Sequence, residues 1–384
     1  MHILQTPVRF YPVVGGVESY VYELGRRLCA RGHRLTVLCA DTGTGETPDT
    51  VDGMELRRLF SPGSIANTNI TPTLPAHLLR YVRQADIIHT HLPTPWSADL
   101  SVLAGRATGT PVVVTYHNDI VGEGVFASVA ALYNATALRV TLRLADRIIF
   151  TREGYAGAAD HLNPRRHATT VVSNGVDIDR FQPRVNDERA RQLGFASDRQ
   201  NLFFLSVLDS YHEYKGLDVL LTTMERLIES MQVPPQLVVG GDGPRRDHYE
   251  SLIRERGLDD HVTFAGYIDD DVLPVAYTAA DAFVLPSTDA SQEGFGLVAL
   301  EALACETPVV STDVVGVANE IRTRDLGAVV PPGNPQALAT AIRAVLEGSP
   351  DVAAGRELCV TEYAWSESVT DLLAVYEAVC EGSR

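Results

Sequence analysis

Short apolar runs alternate with longer helical patterns along the whole chain, and few folds satisfy that alternation. Runs at 3–4, 35–38, 87–89, 112–115, 148–150 and 170–172 read as strands, with helical stretches between most of them. A second series follows at 202–207, 237–239, 262–264, 282–285, 309–311 and 328–330. Strands joined through helices build parallel sheets covered on both faces, so two such series predict two doubly wound α/β domains. The break between them is the polar stretch 177–200, which carries Pro183, Asn186, Asp187 and several arginines but no strand signal. At 384 residues the chain can supply two cores of ordinary size. It contains no apolar run of the roughly 18 residues a spanning helix needs. The first residues, Met-His-Ile-Leu-Gln-Thr-Pro, read as a strand and not as a basic-then-apolar leader, so a cytoplasmic protein is expected.

The stretch 287–301, Ser-Thr-Asp-Ala-Ser-Gln-Glu-Gly-Phe-Gly-Leu-Val-Ala-Leu-Glu, follows the run at 282–285. A helix is predicted over 297–305, apolar on nearly every side and therefore buried. Glu301 sits inside it, where a carboxylate is costly unless something polar meets it. Glu293 lies eight positions earlier, which at helical rise spans about 12 Å. That length suits a sugar ring, a diphosphate and a ribose in line. Between the two acids the helix N-terminus offers the backbone N–H groups of Phe295, Gly296 and Leu297 to an anion. Taken alone, the pair also fits a loop acid and a helix acid bound to some arginine. A hydrolytic pair fits poorly, because about 12 Å exceeds the carboxylate separations of both glycosidase classes.

Other candidates stand at strand ends, where open α/β sheets bind ligands. Gly15-Gly16 opens a predicted helix over 17–31 that stops at Gly32, and lets backbone approach a phosphate closely. No Gly-x-Gly-x-x-Gly follows either first strand, which argues against a dinucleotide enzyme. His89, His91 and His117 end two strands; any of them is compatible with an ordinary loop residue, with donation to a sugar hydroxyl or with stabilising a leaving phosphate. Lys215 precedes Gly216 and a helix over 217–229. The basic residues number 32, and every one but Lys215 is arginine, which singles out that ammonium as a diphosphate ligand. Gly241, in Gly-Gly-Asp-Gly-Pro, reads equally as a turn or as a ligand contact. Asp269-Asp-Asp271 reads as an acidic helix start, not a metal site. The stretch 121–145 reads as a core helix with an acceptor-side loop before it, in preference to a membrane-touching amphipathic helix.

Net charge is −17, which argues against nucleic acid and against strong attachment to anionic lipid. Acidity with a single lysine suggests a salt-loving source or a GC-rich genome. The five cysteines are widely spaced, with no Cys-x-x-Cys, so reduced thiols are expected and neither disulfides nor zinc.

Glu-Gly-Phe-Gly-Leu-Val-x-Leu-Glu-Ala followed by Thr307-Pro-Val-Val310 resembles the signature of the family-4 retaining glycosyltransferases, glycosyl transferases group 1. The resemblance runs on through Tyr116-His117-Asn118-Asp119, Val171 to Phe181, Lys215-Gly216, Gly241-Asp-Gly-Pro244 and Ala265-Gly-Tyr-Ile268. It implies the GT-B fold, two Rossmann-like domains facing across a cleft: an acceptor-side domain over 1–178, a linker over 179–200, a nucleotide-sugar domain over 201–364, and a C-terminal helix over 365–384 crossing back. It implies transfer of a hexose-type sugar from a nucleotide-diphosphate sugar to a hydroxyl of a glycan or lipid-linked acceptor, with retention and without an obligatory metal or other cofactor. By the same resemblance His117, Lys215 and Glu293 are catalytic, Gly15 and Gly16 face the diphosphate, and Tyr267 and Ile268 lie by the base. Glu301 holds the ribose. Membrane contact would be peripheral at most, at the inner face. Many members carry an arginine shortly before this lysine; here Asp209 and His212 stand in that region, leaving His212 as a weaker candidate cation. Two alternatives stay open: a nucleotide-sugar epimerase on the same fold and a non-catalytic sugar-nucleotide-binding subunit.

Overall fold

A computed structural model describes residues 1–13, 15–43, 48–65, 68–117, 120, 125–151, 169–290, 292–293 and 295–382. The chain forms two compact units, one of residues 1–174 with 365–384 and the other of residues 175–364.

The first unit is built on an eight-stranded sheet. Its strands are β1 (His2–Thr6), β2 (Arg34–Ala40), β3 (Thr50–Val51), β4 (Met54–Leu59), β7 (Ile87–Leu92), β8 (Val112–Tyr116), β9 (Arg147–Phe150) and β10 (Thr169–Val171). A small hairpin, β5 (Ser64–Ile65) and β6 (Thr68–Asn69), stands apart. The order is β10-β9-β8-β7-β1-β2-β4-β3, parallel except for β3 against β4. The central strands are buried on both faces. Ile3 points into one core with Val37, Ile87 and Val113, and Leu4 into the other with Leu38, Ile88 and Val114. β4 was not foreseen. In Met-Glu-Leu-Arg-Arg-Leu only Met54, Leu56 and Leu59 are buried, so charges interrupt what would otherwise read as an apolar run.

The helix Trp365–Gly382 belongs to this first unit. Trp365, Val369, Leu372, Tyr376 and Val379 recur at helical spacing and enter the core that holds Ile3, Tyr20 and Leu24.

The second unit carries a six-stranded, wholly parallel sheet of β11 (Asn201–Leu205), β12 (Gln236–Gly240), β13 (Val262–Gly266), β14 (Ala282–Leu285), β15 (Val309–Thr312) and β16 (Gly327–Val330), ordered β13-β12-β11-β14-β15-β16. Phe203 and Phe283 face one core, Leu202, Phe204 and Val284 the other. The stretch 179–200, expected as a linker, is packed into this unit: it forms the helix Asp187–Gln192, and Phe181 and Phe195 are buried. Polar composition hid two aromatic anchors.

In each sheet the chain works outward on one side and then crosses to the other. The crossing lies between β1 and β7 in the first unit and between β11 and β14 in the second. The carboxyl ends of those strand pairs are the usual ligand position in such sheets.

Candidate active site

In the second unit Lys215 and Glu293 meet at the crossing. Lys215 ends the short 3-10 turn Ser210–Lys215 after β11; Glu293 lies in the loop after β14. Gly216 brings the two loops together. Its φ is +81°, and a Cβ there would overlap the Pro286 carbonyl, so only glycine allows this approach. Lys215 Nζ donates to Glu293 Oε2 at 2.8 Å and to Oε1 at 3.1 Å. Ser287 Oγ donates to the same Oε2 at 2.6 Å. Glu293 is 2% exposed and the Lys215 side chain 15%. Burial works against the lysine's charge, yet Glu293 and Tyr214 more than offset it and hold its pKa above the ordinary value. The two groups expected to act separately on a ligand are therefore partners in the free chain.

Glu301 sits in the helix Leu297–Ala304 and is half-buried. Its partner is not an arginine: Tyr277 donates its hydroxyl to Oε2 at 2.7 Å. Burial raises the Glu301 pKa; Tyr277 and the charge of Arg180 oppose that rise, and Asp270 adds to it. Gly296, left-handed at φ +84°, caps this helix, and a Cβ on it would press on Val315 at 2.8 Å. Phe295 is buried in the core with its ring 5.9 Å from that of Tyr363, and Leu297 is half-buried. Phe295 thus offers a ligand backbone only. Gly294 and Ser291 of the same stretch lie outside the described residues.

His212 is held by Asp209: its Nδ1 lies 2.7 Å from Asp209 Oδ1, and Asp209 also accepts from the His212 backbone N–H. Gly241 has φ +105°, and a Cβ would collide with the Ser206 carbonyl, so packing alone requires glycine there. Tyr267 is 72% exposed beyond β13, an open aromatic face. Ile268 is buried in the core, which leaves only its backbone for a base.

In the first unit, Gly15 and Gly16 lead into the helix Gly16–Ala30. A Cβ at Gly16 would meet nothing within 4 Å, so packing does not demand glycine at that position. Beside the crossing, β1 supplies Gln5, β7 supplies His89 and His91, and β8 leads into His117. All four are buried. Burial holds His89 and His117 down at about 3 and His91 well below its ordinary value, with neighbouring imidazoles adding to the effect at His89 and His91. Burial thus disfavours the cationic form of each ring. Asn118 and Asp119 lie outside the described residues. Sequence reasoning singled out most of these groups but missed Ser287, Tyr277 and Gln5. Ser287 and Gln5 take their places from the crossing of strands, and Tyr277 from its helix, Leu273–Ala279, lying beside that of Glu301.

Residues 14–180 match a family described as Glycosyltransferase Family 4, and residues 185–357 match one described as Glycosyl transferases group 1. The phosphatidyl-myo-inositol mannosyltransferase of Mycobacterium leprae is 29% identical, over 97% of this chain and 96% of its own. The D-inositol 3-phosphate glycosyltransferase of Geodermatophilus obscurus is also 29% identical, over 96% of this chain and 85% of its own. Among solved structures, Anabaena HepE in complex with UDP superposes with a TM-score of 0.78 at 20% identity, covering 98% of this chain and 100% of that one.

Proposed function

The chain belongs to the family-4, group 1 glycosyltransferases and has the GT-B fold of two Rossmann-like domains, and from that premise we propose that it transfers a hexose-type sugar with retention from a nucleotide-diphosphate sugar. The acceptor would be a hydroxyl of a glycan or a lipid-linked sugar. The inositol-lipid and inositol-phosphate relatives support a hydroxyl-rich acceptor. The reading places the protein in the cytoplasm, touching the membrane at its inner face when the acceptor is lipid-linked. No described helix is long and apolar enough to cross a membrane.

One observation carries the reading: Lys215 and Glu293, a cation and a carboxylate, are held together at the crossing of β11 and β14. In this proposal the donor diphosphate takes over Lys215 from Glu293. The released carboxylate then accepts from a hydroxyl of the sugar. Backbone N–H groups at Phe295, Gly296 and Leu297 share the phosphate charge with Lys215, so the reading assigns no metal to that task. Glu301, oriented by Tyr277, holds the ribose hydroxyls, and Tyr267 flanks the base. The acceptor oxygen bonds to the anomeric carbon on the face the phosphate leaves. The carbon–oxygen bond to phosphate breaks with its electron pair, and the departing oxygen takes the acceptor's proton.

A thermal-shift screen of UDP, GDP, ADP and their sugar conjugates, on wild type and Glu301→Ala, tests this. A ligand held at about 100 times its Kd should stabilise by about 2.7 kcal/mol. One nucleotide should stabilise wild type and leave the variant unmoved. If none stabilises wild type, the donor assignment is lost.

A further inference from the structure

Trp96 stands in a backbone conformation that tryptophan rarely adopts. Its φ is +73° and its ψ −59°, and the Ser97 N–H donates across it to the Pro95 carbonyl at 2.9 Å. That is a γ-turn of positive φ, the rare and strained form. Such a turn is costly for any residue but glycine, and it persists only where the surroundings impose it. Here they do. The Trp96 backbone N–H donates to Asp99 Oδ2 at 3.1 Å, and Asp99 is itself fixed by the hydroxyls of Tyr133 and Thr141. Ser97 Oγ donates to the Thr6 carbonyl at 2.8 Å. The indole N–H donates to the Thr71 carbonyl at 3.3 Å. The helix Ser97–Thr108 begins at this point, yet a helix can start on Ser, Asn, Asp or Gly without strain. Helix capping therefore does not account for a tryptophan.

Its place in the sheet does. Trp96 follows β7, and Ser97 is tied to the end of β1; these are the two strands at the crossing of the first sheet, whose carboxyl ends are the ligand position. The other tryptophan, Trp365, is 4% exposed, with Tyr20 edge-on to it and Arg27 over its ring. Trp96 is 36% exposed, and among the described residues no aromatic ring or cation stacks on it. With its N–H edge tied to Thr71, the indole is an aromatic surface fixed before any ligand arrives, so little ordering is left for binding to bear. Thr71, Pro95 and Ser97, which flank it, bring no long apolar side chain. The surface therefore fits a small ring with a polar rim, not an acyl chain.

We propose that Trp96 is an acceptor-recognising residue whose indole stacks on the C–H face of a six-membered polyol ring, a pyranose or a cyclitol. Such a ring with equatorial hydroxyls carries axial C–H bonds on its faces and polar groups on its rim, which matches an aromatic face set among hydroxyls and carbonyls. That the ring belongs to the acceptor rests on the transferase reading above; the stacking itself does not.

The test uses the whole protein, with methyl β-D-glucopyranoside as probe and sorbitol as the open-chain control. The chain has two tryptophans, so acrylamide quenching of fluorescence reports Trp96 and scarcely the enclosed Trp365. The glycoside should shield Trp96 saturably, and sorbitol at equal concentration should not. In saturation-transfer NMR the axial protons of one glycoside face should take up saturation as a set, ahead of those of the other. Trp96→Gly, which relieves the turn, should keep the wild-type melting temperature and weaken the glycoside about two- to tenfold, the range of an aromatic stacking contact. Trp96→Tyr should recover most of that loss. Absence of shielding, equal shielding by sorbitol, saturation spread evenly over both faces, or binding unchanged in Trp96→Gly would each overturn the proposal. The wild-type experiments decide even if a variant does not fold. Glycoside binding at Trp96 without sugar transfer from any nucleotide sugar would instead count against the transferase reading.

Discussion

Lys215 and Glu293 are 78 positions apart in the chain, and each was legible as a candidate from its local pattern. Their pairing was not, because it depends on β11 and β14 being neighbours in the sheet. Removing one partner of a buried pair costs more than the pair itself contributes, because the other charge is left stranded. Lys215→Met should therefore lose about 3–5 kcal/mol in urea unfolding, since among the described residues Glu293 then has only Ser287 to turn to. Glu293→Gln should lose less, because the lysine retains some access to solvent. Both should abolish transfer, and equal stability losses would contradict this account. Glu301 teaches the same limit. Its need for a polar partner followed from the apolar helix around it, but the partner, Tyr277, stands in another helix, 24 positions earlier. Tyr277→Phe takes that donor away and leaves the carboxylate with less to oppose its burial. Its pKa should climb further, and the thermal shift produced by nucleotide should shrink.

Elements were read well where burial is two-sided. β1, β7, β8 and β11 are apolar enough to declare themselves, whereas β4 alternates with charges and escaped. Turns show a different gap between pattern and cause. Gly241 looked equally like a ligand contact and a tight turn. Its close approach to the Ser206 carbonyl makes glycine obligatory whether or not a ligand touches it. Gly241→Ala should accordingly lower the melting temperature of the ligand-free protein, whereas Gly16→Ala, with open space at its Cβ, should leave that temperature near wild type and weaken donor turnover instead. The helix Trp365–Gly382 was expected to cross back onto the first domain. Its five buried apolar and aromatic residues make it part of that core. A chain ending at Ala364 should lose the near-ultraviolet signature of a packed first unit.

Three neutral, buried imidazoles in one unit give the whole molecule an acid weakness. Their native pKa values lie below the ordinary 6.5, at about 3 for His89 and His117, so between those limits the unfolded chain binds protons that the native one does not. Stability is therefore present above pH 6.5 and lost as pH falls. At about 1.4 kcal/mol per pH unit each, His89 and His117 should together cost roughly 4 kcal/mol by pH 5, a loss that chemical denaturation across pH would measure. The charge of −17 acts in addition: screening should raise the melting temperature between 0.05 and 1 M salt, and a fall would point to some other dominant force. The order of the chain matters in time as well as in space. The first unit needs residues 365–384, but a ribosome makes the whole of 175–364 before it reaches them. At roughly 5–20 residues per second, the 210 residues from 175 to 384 (384 − 174) take about 10–40 s to synthesise. During that interval the nascent amino-terminal half displays an uncovered hydrophobic face, while the unit begun later can already fold. The part made first is thus the part finished last, and the one most dependent on chaperones during translation.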